Sequence, residues 1–231
     1  MHNESGNAAK LIEEIAAALD GRAYEMVITD DASTDDTRVV LAGLKDKYPE
    51  LRVFSHRKNA GQSRALRTAI QNARAPIIGT LDGEGQKEPA ELPALYRSRS
   101  RADAPEGLAM VMGRRASRKD SAWKKFGSSF ANGIRKRLLR DDCDDSGCGI
   151  KVMRREAFLS LPYFDHMHRY MPALMSAEGH KVEFMNVNHR ERGAGKSNYT
   201  NFGRLAPAWA DLRGVMWLIR RRRNPEGADE V

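Results

Sequence analysis

Residues 76–89 read Pro-Ile-Ile-Gly-Thr-Leu-Asp-Gly-Glu-Gly-Gln-Lys-Glu-Pro. A short β-prone run, 76–81, ends in an acidic, glycine-rich turn, and Pro89 suits the first turn of a following helix. Working outward, the same order recurs. Residues 24–30 (YEMVITD) form a β-prone run that stops at Asp30-Asp31, and Ser33 or Thr34 can cap a helix burying Val40, Leu41, Leu44 and Tyr48. Residues 52–55 read as a strand, a helix from about Gln62 carries Leu66, Ala69, Ile70 and Ala73 on one face, and residues 108–113 make another strand. Ahead of these, Ala8, Leu11, Ile12, Ile15, Ala16 and Leu19 recur at helical spacing, with Ser5 as N-cap. The alternation predicts an α/β fold: a Rossmann-like, mostly parallel central sheet flanked by helices. Ligands then sit at the carboxyl ends of the strands, where both acidic clusters fall. The chain enters its first helix a few residues after Met1, where such a domain ordinarily has a strand. Either residues 24–30 are the first strand or an initial strand is lacking.

The chain has 231 residues, enough for one large domain or a domain with an appendage; we divide it into a domain, 1–200, and a C-terminal amphipathic helix with a basic tail, 201–231. An apolar share of 41% permits a core and excludes disorder. No run approaches the ~20 apolar residues that span a bilayer, and no secretory signal opens the sequence. Cys143 and Cys148 lack the spacing of a zinc ribbon or redox pair, which points to a reducing, cytosolic-side setting. The net charge of +8 is concentrated: residues 97–140 hold 13 Lys/Arg against 3 Asp/Glu, and residues 190–223 hold 9 against 2. Such blocks are often solvated faces, but they also attract phosphates of nucleic acid, lipid headgroups or small molecules. Trp123, Phe126, Phe130, Ile134 and Leu138 line one face of a helix within 123–139. Residues 207–222 place Trp209, Leu212, Val215, Met216, Trp217 and Ile219 beside an arginine run. Both suit an anionic membrane surface, or equally a core helix with snorkelling charges.

Three segments carry chemistry. In Asp82-Gly83-Glu84-Gly85-Gln86, two carboxylates and an amide oxygen alternate on a flexible turn, a hard-donor set for Mg²⁺ or Mn²⁺ holding a diphosphate; an exposed acidic turn is the alternative. In Asp30-Asp31-Ala32-Ser33-Thr34, a carboxylate at a strand end can accept from a nucleobase or ribose, or simply cap a helix. Residues 190–197 (RERGAGKS) bring arginine, serine and bare glycine amides suited to phosphate oxygens, without Walker spacing. Asp165-His166-Met167-His168-Arg169 reads as a structural polar cluster rather than a metal site, since no third ligand stands at useful spacing.

In this order the segments resemble the family 2 glycosyltransferases of GT-A fold, in the branch of dolichyl- and polyprenyl-phosphate sugar transferases that includes dolichol-phosphate mannosyltransferases. The resemblance rests on His2-Asn3-Glu4, DDASTDDT (30–37), NAGQSRAL (59–66), LDGEGQKEP (81–89), DSGCGIK (145–151) with RREAF (154–158), and RERGAGKSNY (190–199). It implies that Glu4 and Asp30 hold the nucleoside, together with Asp82 on the donor side, and that Asp82, Glu84 and Gln86 hold a divalent metal. Arg192 and Ser197 belong to a loop closing over the donor diphosphate and acceptor phosphate, and Asp145 borders the acceptor side. Arg114, Arg115 and Arg118 supply further charge for the acceptor. The implied reaction moves a sugar from a GDP- or UDP-sugar to a polyprenyl phosphate, with inversion, Asp82, Glu84 and Arg192 serving the chemistry. The implied setting is peripheral, on the cytoplasmic side of the plasma membrane, with no nucleic-acid partner. Three departures stand out: the strand before His2 is missing, Glu84 replaces the usual Asp, and Asn198 replaces a basic residue. A non-catalytic relative docking at membranes and a basic nucleic-acid binder are the competing readings.

Overall fold

The structure, a computed structural model, describes residues 1–85, 87–115, 133, 135–139, 141–143, 145–188 and 205–223. Helix α1 (Ser5–Ala18) leads to β1 (Met26–Asp30), α2 (Thr37–Gly43), β2 (Leu51–Ser55), α3 (Gln62–Asn72) and β3 (Ile77–Thr80). A 3₁₀ turn, Pro89–Glu91, opens α4 (Leu92–Arg99), followed by β4 (Leu108–Arg115). Then come β5 (Lys151–Arg154), α5 (Arg155–Leu159), α6 (Met171–Ala177), β6 (Lys181–Val187) and α7 (Leu205–Arg221). Residues 135–139 are also helical.

The expected caps shift by a few residues, for a local reason. Ser5 is already the first residue of α1, and Glu4 occupies the capping position with its carboxylate turned to Asn7 Nδ2, 2.6 Å away. α2 begins at Thr37, because Ser33 and Thr34 are engaged elsewhere: Asn3 N donates to Ser33 Oγ (3.0 Å) and Thr34 N to Asn3 Oδ1 (2.8 Å). The segments around residues 3 and 33 are thereby stitched together at the top of β1.

β1 pairs with β2 in parallel, Met26 opposite Leu51 through Asp30 opposite Ser55. A second sheet runs β3-β5-β4-β6. Its β4–β6 ladder is parallel, while β5 enters antiparallel to both β3 and β4. β1 and β3 each end a ladder, and Met1 lies beside β1 and near the turn that follows β3. Its amine donates to Thr29 O (2.6 Å) and its carbonyl accepts from Asp31 N (2.8 Å), the two bonds of a parallel bridge opposite Asp30. At the opposite end Glu25 accepts from Arg74 N (2.5 Å), Ala75 N (3.2 Å) and Arg52 (2.6 Å).

The core has three parts. Ala8, Leu11, Ile12, Met26, Leu41 and Leu51 pack α1 and α2 on the first sheet. One face of the second sheet, with Met110 and Met153, packs against Ile70, Phe158, Met171, Leu174, Leu212 and Val215. The other face, with Val111 and Val152, packs against Leu92 and Leu95. Each fully buried large side chain contributes roughly 1.5–3 kcal/mol, so α7 is held to the core by Leu212 and Val215. Its tryptophans face the other way: Trp209 is 56% exposed and Trp217 59%. The sequence had grouped them with the aliphatic face. Of the helix expected over 123–139, residues 123–132 and 134 lie outside the described residues. Among its described residues, Arg135 is buried, paired with Asp141 and donating to Cys143 O (3.0 Å).

Candidate functional site

The end of β1 separates its two aspartates. Asp30 is buried beneath a cleft of about 500 Å³ lined also by Ser33, Arg38, Ser55, His56 and Arg57. It accepts from Ser55 Oγ (2.7 Å) and Ser33 N (3.2 Å). Burial alone would raise its pKa, but these hydrogen bonds and the nearby N-terminal ammonium outweigh burial and hold it below the usual value. Asp31 has a structural task. Its carboxylate accepts from Ala60 N (2.9 Å) and Gly61 N (2.8 Å) and lies 2.6 Å from His56 Nδ1, whose Nε2 is 2.9 Å from Thr68 Oγ1. It fixes the loop that leads into α3.

The end of β3 supplies the second acidic group. Asp82 receives Gln62 Nε2 at 3.1 Å, from the first residue of α3. Its carboxylate fills the space above Gly149, where a Cβ would overlap it. Gly85 stands at φ +67, a left-handed conformation that glycine adopts without strain. Glu84 is half-buried on the same turn. A Cβ built on Gly83 would meet Met1 Cγ at 3.0 Å and Glu4 Cγ at 3.7 Å. Met1 and Glu4 therefore bridge the end of β1 to the Asp82 turn, and the two acidic strand ends share one edge of the domain.

The other expected residues fall as follows. Asp145 is buried, and its carbonyl accepts from Cys148 N (3.1 Å) in the turn before β5. Arg114, near the end of β4, donates from Nε to Asn186 Oδ1 (3.1 Å). Arg115 pairs by its backbone opposite Val187; its side chain, with Gln86, Arg118, Arg192, Ser197 and Asn198, lies outside the described residues. His166 Nδ1 lies 2.9 Å from Asp211 Oδ2 on α7, and His168 Nδ1 lies 2.8 Å from Ser63 Oγ on α3. Burial foremost, then the charges of Arg169 and Lys151, pushes His168 down to about 3.

Among the described residues no three His, Cys, Asp or Glu side chains converge as a metal cage. Asp82 and Glu84 nevertheless fit a hard divalent cation of the kind that takes one or two carboxylates and completes its shell with phosphate oxygens and water. The bare Gly149 makes the room in which Asp82 is seated. Sequence reasoning missed Gly149, Gln62 and Lys151. Gly149 and Lys151 lie in the quoted segment DSGCGIK, but only the structure shows that Gly149 lies against Asp82 and Lys151 opposite Thr80.

Residues 1–161 match the family described as Glycosyl transferase family 2. The chain is 29% identical over 229 residues to a dodecaprenyl-phosphate galacturonate synthase of Rhizobium johnstonii, covering 96% of this chain and 66% of that protein. It is 28% identical over 202 residues to an undecaprenyl-phosphate 4-deoxy-4-formamido-L-arabinose transferase of Shewanella sediminis, covering 86% and 60%. The chain thus spans just under two thirds of the length of these relatives. Among solved structures, glucosyl-3-phosphoglycerate synthase of Mycobacterium tuberculosis with Mn²⁺, UDP and glucosyl-3-phosphoglycerate superposes with a TM-score of 0.70 at 16% identity, covering 97% of this chain and 79% of that one. The same enzyme with Mg²⁺ and UDP gives 0.69 at 15% identity, covering 97% and 78%. At this identity the likeness establishes the GT-A fold.

Proposed function

The chain belongs to glycosyl transferase family 2, and from that premise we propose that it transfers a sugar from a UDP- or GDP-sugar to a polyprenyl phosphate at the cytoplasmic face of a membrane, inverting the anomeric centre. The observation that carries the reading is the meeting of two acidic strand ends at one edge, with Met1 and Glu4 between the Asp30 cleft and the Asp82 turn. Relatives named for polyprenyl-phosphate transfer support the acceptor class.

In this reading Asp30 and Glu4 hold the nucleoside. Asp82 and Glu84, with Gln86, hold Mg²⁺ or Mn²⁺, which draws charge from the leaving diphosphate when bound. Asp82 sits on a short turn fixed by β3, Gln62 and Gly149, so its carboxylate is aimed before the donor arrives. A lipid phosphate is already ionised near neutral pH, so no side chain must deprotonate it. What remains is to align it with the anomeric carbon. That task falls to Arg114, Arg115 and Arg118, to Asp145 on the acceptor side, and to Arg192 and Ser197 over the diphosphate.

The surface of α7 supports a peripheral contact. Trp209, Arg213, Trp217, Arg220 and Arg221 form one exposed stripe. Asp211 is turned away toward His166. Indole rings with arginine favour an anionic headgroup layer. Among the described residues no helix is long and apolar enough to cross a membrane. A thermal-shift screen of nucleoside diphosphates and their sugars, with and without Mn²⁺, tests the donor half. A metal-dependent rise with a nucleoside diphosphate is expected, and no response to any of them counts against the reading.

A further inference from the structure

Lys151 is a buried cation that the proposed mechanism does not use. It is 4% exposed, on the first residue of β5. Removing an ammonium from water costs several kcal/mol unless opposite charge and acceptors surround it. Its ε-ammonium donates to the Cys148 carbonyl, which satisfies one of three donors. Burial, the largest influence, disfavours its charged form, and the Asp82 carboxylate is the foremost group that offsets this.

The sheet explains why these groups meet. β3 and β5 are antiparallel with Thr80 opposite Lys151. Asp82 lies two residues beyond Thr80, and Gly149 two residues before Lys151. Side chains two apart share a face of a strand, and the Asp82 carboxylate occupies the space a Gly149 side chain would fill. Thr80 Oγ1 donates to Gly149 O at 2.9 Å and fixes this crossing. Lys151 therefore lies at the end of the β3–β5 ladder that leads into the Asp82 turn. Its bond to Cys148 O also anchors the turn closed by Cys148 N and Asp145 O, at 3.1 Å. One ammonium thus anchors the turn that carries Asp145 and sets its positive charge toward the donor-side carboxylate.

We propose that Lys151 is a positioning residue that holds the Asp82 carboxylate and the Asp145 turn in fixed relation, setting the distance between the donor and acceptor halves of the site. The inference rests on the proposed glycosyl transfer for its catalytic consequence, but not for its structural one. Lys151 touches neither reacting atom; it acts through groups that do. A fixed internal charge suits this task better than a surface residue, because its position does not depend on salt or on a mobile side chain.

The test is a double-mutant cycle on the full chain with Lys151→Met, Asp82→Asn and the double variant, with Lys151→Arg as the charge-retaining control. In transfer assays Lys151→Met is expected to lower kcat by about 100-fold, the cost of an ångström-scale misalignment, while donor KM changes less than about threefold. Lys151→Arg should recover at least about tenfold of that loss. In the Asp82→Asn background Lys151→Met should change the rate less than about threefold, because the partner is already neutral. Additive losses, or a Lys151→Met enzyme with wild-type kcat, would overturn the proposal. If the wild type transfers no sugar from any donor, the functional reading fails, and the same cycle is read in melting temperature. There the loss from Lys151→Met should be partly restored by Asp82→Asn, and strict additivity would overturn the pairing. Should Lys151→Met alone not fold, folding of the double variant supports the coupling and its failure to fold counts against it.

Discussion

Replacing Gly149 by Ala isolates the geometry of the Asp82 turn. The backbone at 149 is outside the left-handed region, so an alanine brings no conformational strain there. Its methyl, however, would be built into all three carboxyl atoms of Asp82, where real Cβ contacts stay beyond 3.0 Å. Asp82 must withdraw by roughly 1 Å or more, and misplacement on that scale costs about 100-fold in rate. The stability cost should be small, below about 1 kcal/mol, because Asp82 is only half-buried and glycines flank its turn. Gly113→Ala is the matched control. Its Cβ would meet Ile150 Cγ2 at 2.6 Å and Val187 Cγ2 at 2.9 Å, both on buried core residues. That substitution should destabilise by about 1–3 kcal/mol and leave metal-dependent binding in the folded fraction unchanged. Thermal melts and calorimetric titration of nucleotide with Mn²⁺ separate the two. A Gly149→Ala protein that keeps full metal-enhanced binding would show that the Asp82 position does not matter, and the reasoning would fail.

Other outcomes follow from the same structure. Folded His168 stays neutral down to about pH 3 while the unfolded chain takes up its proton near 6.5, so stability is full above pH 6.5 and declines as pH falls below it, by up to about 1.4 kcal/mol per pH unit. Urea titrations at pH 7 and 5 should show that slope, and His168→Gln should flatten it. An added N-terminal β-prone segment of about six residues should extend the Met1 bridge along β1 and raise the melting temperature, whereas a Gly/Ser segment of equal length should not; equal effects of the two would refute strand pairing there. Anionic vesicles should bind the protein in a salt-sensitive way that Trp217→Ala with Arg220→Glu weakens at least about tenfold, and wild-type flotation of that variant would remove α7 from the contact.

The first half of the fold was legible because its elements announce themselves by period. Apolar residues of α1 and α3 recur at helical spacing, and each strand stops at a polar, glycine-rich or acidic turn. The acidic ends of β1 and β3 could therefore be placed on one edge before any coordinates. The second half was less legible. The antiparallel entry of β5 depends on long-range pairing with β3 and β4, which no local period reveals. In α7 tryptophan and leucine both count as apolar, so the pattern could not say that Leu212 and Val215 face the core while Trp209 and Trp217 face out. Charge carries no sign of burial either: Arg135 and Lys151 are both buried, Arg135 against Asp141 and Lys151 against the Cys148 carbonyl. Asp30 and Asp31 are adjacent and chemically identical. Only the alternation of a strand, with Asp31 captured by the Gly61 and Ala60 amides, separates a cleft residue from a structural one.

The central claim concerns the product. The protein should be incubated with undecaprenyl phosphate, a panel of UDP- and GDP-sugars, and Mn²⁺ or Mg²⁺, and the lipid extract analysed by mass spectrometry. The account predicts a polyprenyl-phosphate sugar from at least one donor, formed with inversion, abolished by EDTA and lowered about 100-fold or more in Asp82→Asn. Removing one ionic ligand costs on the order of 1–3 kcal/mol in donor binding, with misalignment adding to it. Glu84→Asp should keep activity. Product formed at an undiminished rate by Asp82→Asn, or the absence of any lipid-linked sugar while the folded protein binds nucleotide and metal, would contradict it.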